Sequence, residues 1–407
     1  MAIAPSDQQP AQDTARSAPR KSRPAPQQTR TYVHLMRSAT GMFEPDELER
    51  LAPRARAKRA ANSSAPPVLD GDRTPLDPIV ATEAIAYDFL AKGGKHSRPF
   101  ITLAVYDALA GGLGTLGDGS EHVAAFSDAV KRTALSIETF HKASLVHDDI
   151  EDDDAFRYGD QTVHRRWGLS TAINVGDYLI GLGYRLVSRE AGALGPLVAA
   201  DILDRLADAH MKLCEGQGAE LLWRDARDKR LTPIDALKIY ALKTAPAFEA
   251  ALIAGARLAG PAEKYVEPLA QFARHLGVAF QILNDLNDWQ SDGHNKLAAG
   301  GDVLGGRPTI LWALALESLD EHQRRQLEAL VAEPRSTATL QSVGGLYQSA
   351  GVFEKAARLV EKYQQRAEAV ADEIEPDELR RLLYYLIDTV LDRPTSEPVE
   401  SVPPMRS

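Results

Sequence analysis

The chain has 407 residues, 44% hydrophobic and 26% charged, with a formal net charge of -10. That composition suits a soluble globular protein. It supplies no run near the ~20 apolar residues of a membrane span, and its acidity argues against general nucleic-acid binding. The single cysteine, Cys214, excludes an internal disulfide and favours a reducing, cytoplasmic setting.

Residues 1–30 are rich in Pro, Gln, Ala and Arg and show no periodicity. Such a segment buries too little apolar surface to offset its ordering entropy, so a disordered tail is expected. It lacks an apolar h-region, so no secretory signal is read there. Its Arg, Ser and Ala content superficially resembles an organelle transit peptide, but the disordered tail is the preferred reading. Residues 31–78 hold one or two amphipathic helices over 32–60 and a Pro- and Gly-punctuated linker, NSSAPPVLDGDRTPLDP, at 62–78. From 79 to 392 apolar residues recur at three- and four-residue spacing, as in FITLAVYDALA, TAINVGDYLIGLGYRLVS and ELRRLLYYLIDTVL. Alternating strand-like runs bounded by tight turns are absent. The pattern predicts an all-α domain, a large helical bundle. Residues 393–407, rich in Pro and Ser, read as a second disordered tail.

Three clusters stand out along that domain. GGKHSRPF (93–100) places Lys95 and Arg98 between a glycine pair and Pro99, which suits the first turn of a helix. A basic pair at a helix N-terminus attracts anions, so this is a candidate diphosphate site; a basic surface turn is the bland alternative. It is no Walker loop, because the GxxxxGK[ST] spacing is missing. LVHDDIEDDDAFRYGD (145–160) puts Asp148 and Asp152 on one helix face with Asp149 beside them. Three carboxylates there suit a hard divalent cation such as magnesium, although a solvated acidic helix end is equally compatible with the run. FQILNDLNDW (280–289) spaces Asn284, Asp285 and Asp288 similarly, with Gln281 one turn before Asp285. Two such clusters on separate helices could face one cavity, as carboxylate metal sites in bundles do.

In this order, GGKHSRP, DDIED with RYGDQTVH, GDYL, EGQ at 215–217, KT at 243–244 and FQILNDLND with RPT resemble the all-trans isoprenyl diphosphate synthase family over residues 79–392. The resemblance implies an all-α bundle around a deep central cavity, a homodimer, and magnesium ions between the two aspartate-rich motifs. Asp148, Asp149 and Asp152 would hold metal on the first helix, and Asp285 and Asp288 on the second, directly or through water. Arg157, Lys243 and Arg307 would hold an allylic diphosphate. Lys95, Arg98 and His141 would hold isopentenyl diphosphate. Thr244, Gln217 and Gln281 match polar positions near the reacting carbons.

Two positions depart from the family pattern. Asn284 stands where the second motif usually begins with Asp, and Tyr158 where a second arginine normally follows Arg157. An amide can ligate a metal without charge, but a tyrosine cannot form a bidentate ion pair. A terpene synthase on the same scaffold therefore stands as an alternative, and so does a non-catalytic subunit of a heteromeric synthase. The persistence of Lys95, Arg98, His141 and an intact first motif favours the condensing enzyme. Ala143 and Ser144 lie one turn before Asp148, where a growing prenyl chain would pass, and Phe140 one turn deeper could form a floor. Small residues there predict a product longer than fifteen carbons, geranylgeranyl or geranylfarnesyl diphosphate.

Overall fold

The three- and four-residue apolar spacing is realised as helices almost throughout. The structure, a computed structural model, describes residues 30–54, 78–289, 300–304, 306–332 and 337–391. The expected tails at 1–30 (save Arg30) and 393–407, and residues 62–77 of the expected linker, lie outside the described residues.

The chain begins with α1 (Val33–Gly41), α2 (Pro45–Leu51), α3 (Pro78–Ala91) and α4 (Ser97–Leu109). A short 3-10 turn, Leu113–Thr115, leads to α5 (Ser120–Ala124) and the long α6 (Asp128–Glu151). Next come α7 (Val163–Trp167), α8 (Leu169–Ser188), α9 (Ala191–Leu194), α10 (Pro196–Asp225), α11 (Pro233–Lys243), α12 (Ala245–Ala259) and α13 (Glu263–Asp288). The remainder is α14 (Gly301–Leu304), α15 (Ile310–Ser318), α16 (Glu321–Ala332), α17 (Thr337–Ser349), α18 (Val352–Glu373) and α19 (Asp377–Val390). Side chains cap several starts: Ser127 accepts from the N–H of Val130, Thr232 from Asp235 and Thr309 from Trp312.

The fold is all-α, with one small exception to the sequence reading. Phe156–Arg157 and Asp160–Gln161 form a two-stranded antiparallel hairpin, β1 and β2, with Arg157 opposite Asp160. Its turn residues, Tyr158 and Gly159, have φ of 55° and 83°. Two positive φ values match the twist of a two-residue hairpin, and the strands are too short to show alternation in sequence.

The main core forms where α6 packs on α8, α4 on α12, and α13 on α18. Leu135, Leu179 and Phe272 are fully buried in it. Leu35, Ala39 and Met42 of the first helix and its C-cap join the same cluster, so residues 33–51 add helices to the bundle. Arg30 pairs with Glu378 of α19 at 3.2 Å. Gly255 lets α12 approach α4 closely, because a Cβ there would meet the Thr102 carbonyl oxygen at 2.5 Å. A second cluster, around Trp312, Ile282 and Tyr347, joins α13 to α15 and α17. Among the described residues no helix is long and apolar enough to cross a membrane.

Candidate active site

On α6, Ile137, Phe140, His141, Ser144, His147, Asp148 and Glu151 follow helical spacing along one face. They form one wall of a cavity of about 440 Å³. From Ile137 to Asp148 that wall is roughly 16 Å long at the helical rise per residue. Leu206, Ala209, His210, Leu213 and Gln217 of α10 face it, with Ala247 and Ala250 of α12. Arg98 and Lys243 reach the same space. Asp148, Glu151, Gln217 and Lys243 thus gather at the end where α6 stops. Phe140 packs deeper, edge-on to Tyr184 at 4.7 Å, and Gly183 leaves room for its ring. Of the three expected tail-path residues, Phe140 and Ser144 line the cavity. Ala143 does not: it lies on the other side of α6, fully buried in the core. A step of one residue turns a helix by about 100°, enough to move a side chain off the wall.

The acidic run sits at the C-terminal end of α6, where the helix dipole disfavours negative charge. Arginines offset it. Asp149 is buried and accepts from Arg157, from Nε at 2.7 Å and also from Nη2. Its other oxygen is buried without a hydrogen-bond partner. Asp152 lies between Arg224 Nη1 at 2.7 Å and Arg307 Nη2 at 2.8 Å. Asp148 has no ion pair among the described residues. Burial pushes its carboxyl up to about 7, against the pull of Lys243. Glu151 and Asp153 are exposed at the rim, where Gln217 donates to Glu151 at 2.5 Å.

The second motif is arranged differently. Gln281 donates to the Thr244 hydroxyl at 2.7 Å, and the Asn284 amide donates to Gln281 at 3.3 Å. Asp285 is buried and turned toward α11 and α15, accepting from the Tyr240 hydroxyl and, at 3.1 Å, from the Ile310 N–H. Burial pushes its carboxyl up to about 8. Asp288 accepts from the Asp302 N–H at 2.9 Å, at the start of α14. Arg307 ties the first motif to the segment after the second, because its other nitrogen donates to Asp302 at 3.1 Å. Among the described residues no three His, Cys, Asp or Glu side chains form a ready metal cluster.

Lys243 and Thr244 sit at the break between α11 and α12, where Thr244 leaves helical geometry. Lys243 Nζ pairs with Glu220 at 2.6 Å. On the basic side, Lys95 is exposed, just before α4. Arg98 is in the first turn of α4, and its guanidinium lies 5.9 Å from the Phe248 ring. Burial holds Arg98 below its usual range, and burial with Arg98, Lys142 and Arg157 nearby keeps His141 neutral. Tyr158 is off the cavity wall. Its ring packs on Gly93, where a Cβ would meet it at 2.5 Å.

Sequence reasoning missed Arg224, Glu220 and His210. Arg224 lies two turns beyond Gln217 on α10, a spacing that could have marked it. Nothing local marks His210 as cavity-lining.

His96, between Lys95 and Arg98, stacks on Phe43 with ring centroids 4.1 Å apart. Burial lowers its pKa to about 4. The unfolded chain therefore binds the proton more tightly between pH 6.5 and 4, and stability falls as pH falls through that window. His96→Asn, which tolerates the left-handed φ of 44°, removes that slope. In urea melts, wild type is expected to lose on the order of 2 kcal/mol more than His96→Asn between pH 7 and 5. Equal losses would remove His96 as the cause.

The family model described as polyprenyl synthetase matches residues 80–347. An all-trans-nonaprenyl-diphosphate synthase (geranyl-diphosphate specific) of Rhodobacter capsulatus is 32% identical over 77% of this chain and 90% of its own. A geranylfarnesyl diphosphate synthase of Natronomonas pharaonis is 30% identical over 75% of this chain and 87% of its own. A crystal structure of polyprenyl synthase from Caulobacter crescentus, complexed with calcium and isoprenyl diphosphate, superimposes with a TM-score of 0.68 at 25% identity. It covers 90% of this chain and 99% of that one.

Proposed function

The chain belongs to the polyprenyl synthetase family, and on that premise we propose that it condenses an allylic diphosphate with isopentenyl diphosphate to an all-trans polyprenyl diphosphate. The observation that carries the reading is one cavity with an ionic mouth and an apolar interior. Asp148 and Lys243 stand at the mouth, Arg98 and His141 reach the same space, and Ile137, Phe140, Leu206 and Leu213 line the interior.

The donor set at 148–152 fits a hard divalent cation: carboxylate oxygens only, one of them, on Asp149, buried without a partner. Asp148, Asp149 and Asp152 would hold magnesium. Asp285 and Asp288, already engaged by Tyr240, Ile310 and Asp302, would hold metal through water rather than directly. When bound, the metal supplies electrostatic stabilisation of negative charge on the departing diphosphate. Arg157, Arg307 and Lys243 now pair with carboxylates and would shift to the incoming allylic diphosphate. Lys95, Arg98 and neutral His141 would hold isopentenyl diphosphate. The allylic C–O bond breaks, and the double bond of isopentenyl diphosphate attacks the cation. A proton then leaves to the released diphosphate. Gln281 and Thr244, hydrogen-bonded to each other, would present polar atoms near the reacting carbons, and Gln217 a further one. The apolar wall excludes water that would quench the cation.

The same reading makes the chain cytoplasmic and a homodimer; the exposed apolar side chains Leu169 and Ile173 on α8 support the dimer, which light scattering tests. The product would exceed fifteen carbons, with twenty to twenty-five favoured, because Ser144 leaves the upper wall open. Ser144→Phe is expected to shorten the product by at least one isoprene unit, read by chromatography of the dephosphorylated products. An unchanged length defeats that assignment.

The function is tested with purified protein, magnesium and dimethylallyl, farnesyl or geranylgeranyl diphosphate, with and without labelled isopentenyl diphosphate. Label in longer diphosphates supports the condensing enzyme. Hydrocarbon or alcohol formed without isopentenyl diphosphate would make it a terpene synthase. Turnover only with a partner chain would make it a subunit.

A further inference from the structure

Beneath the glycine-rich loop lies a charge that the proposed chemistry does not use. Lys142 follows His141 on α6, yet its side chain is fully buried. Its ammonium donates to the carbonyl oxygen of Gly93 at 2.9 Å and to that of Lys92. The Tyr158 ring covers it, with 4.2 Å from Nζ to the centroid, and Phe89 stands at 5.5 Å. Two carbonyls and two aromatic faces thus replace the water a lysine normally keeps.

The loop it holds is strained. Gly93, Gly94 and His96 have φ of 51°, 106° and 44°, so three of four consecutive residues are left-handed. That path turns the carbonyls of Lys92 and Gly93 toward the buried ammonium, which donates to both. The hairpin meets the loop at the same point. Tyr158 packs on Gly93, and Lys92 pairs with Asp160 at 2.9 Å. Burial lowers the ammonium to about 8, while Glu138, one turn earlier on α6 and also buried, favours its charged form and Arg157 opposes it.

We infer that Lys142 is a positioning residue: its ammonium, covered by Tyr158, locks the 92–98 loop against the 156–161 hairpin and so fixes Lys95 and Arg98 for isopentenyl diphosphate. The cation missing at position 158 is thereby supplied from below the loop, acting on backbone rather than on substrate. This rests on the proposed function for the identity of the anion, whereas the lock itself rests on geometry alone.

The test uses the full chain with magnesium, farnesyl diphosphate and isopentenyl diphosphate. Lys142→Met is expected to raise KM for isopentenyl diphosphate by about 10- to 100-fold, the scale of a misplaced binding group, with KM for farnesyl diphosphate within about twofold. Tyr158→Leu, which removes the ring, is expected to exceed Tyr158→Phe, which keeps it, by about fivefold in the same constant. An unmoved KM for isopentenyl diphosphate in Lys142→Met, or parallel changes in both KM values, overturns the inference. If Lys142→Met does not fold, the Tyr158 pair decides: equal KM values for Leu and Phe overturn it. Hydrogen exchange reads the lock without turnover. Protection of the Phe100 amide, which donates to the His96 carbonyl oxygen at 3.2 Å, should fall in Tyr158→Leu and in folded Lys142→Met, and unchanged protection overturns the lock. Wild type that fails to incorporate isopentenyl diphosphate would defeat the proposed function, leaving exchange to decide the lock. Normal incorporation with unmoved variants would defeat this inference alone.

Discussion

Asp148→Asn is expected to lower kcat by on the order of 10³-fold, the scale of removing one preorganised electrostatic group from a reacting centre. Of the three carboxylates at the end of α6, Asp148 faces the cavity and has no ion pair among the described residues. Asp149 and Asp152 are held by Arg157, Arg224 and Arg307. The substitution keeps shape and removes charge. Stability should not suffer, because burial already pushes the Asp148 carboxyl up to about 7, so the folded state disfavours its charge. A thermal melt without metal should show an equal or higher Tm. Wild-type turnover of labelled isopentenyl diphosphate by Asp148→Asn would remove the residue from the mechanism. A lowered Tm would make it a structural residue instead. A site group that costs stability and serves turnover is the ordinary trade-off at an active site.

Phe272→Ala is expected to remove about 3–5 kcal/mol of folding stability, measured by urea denaturation. Phe272 is fully buried on α13, in the main core. Losing the ring removes its transfer energy and leaves a cavity that close-packed neighbours cannot fill. The functional consequence lies further along the same helix, because α13 carries Gln281, Asn284, Asp285 and Asp288. At temperatures where the variant is folded, its kcat should remain within a few-fold of wild type. A loss under 1 kcal/mol would show that the core collapses around the gap.

The three motifs differ in how far their spacing alone carried them. The first was legible because Asp148, Asp149 and the C-cap Asp152 lie within about a turn at the end of one uninterrupted helix, and helical phase is a local property. The basic pair was legible because Pro99 and the two glycines mark a helix start. The second motif has the same spacing as the first, yet Asp285 turns toward Tyr240 and Ile310, and Asp288 caps the segment at 301. Those partners lie between 14 and 45 residues away, and no pattern within 280–289 announces them. Closeness to Ser144 suggests the tail path for Ala143, but one helical step takes it into the core. Tyr158 stands where the family pattern expects an arginine, yet its place over Lys142 depends on a hairpin too short to leave an alternating pattern.

By itself, then, the sequence determined the all-α class, the helical face that carries His141, Ser144 and Asp148, and the family to which the ordered motifs point. These follow from periodicity and local spacing, which the chain carries wherever it folds. Only the tertiary structure decided which carboxylates are free and which are held by arginines, and where Arg224 and Lys142 stand. Those outcomes depend on groups distant in sequence that packing brings within hydrogen-bond reach, and on burial, which sets the cost of each charge.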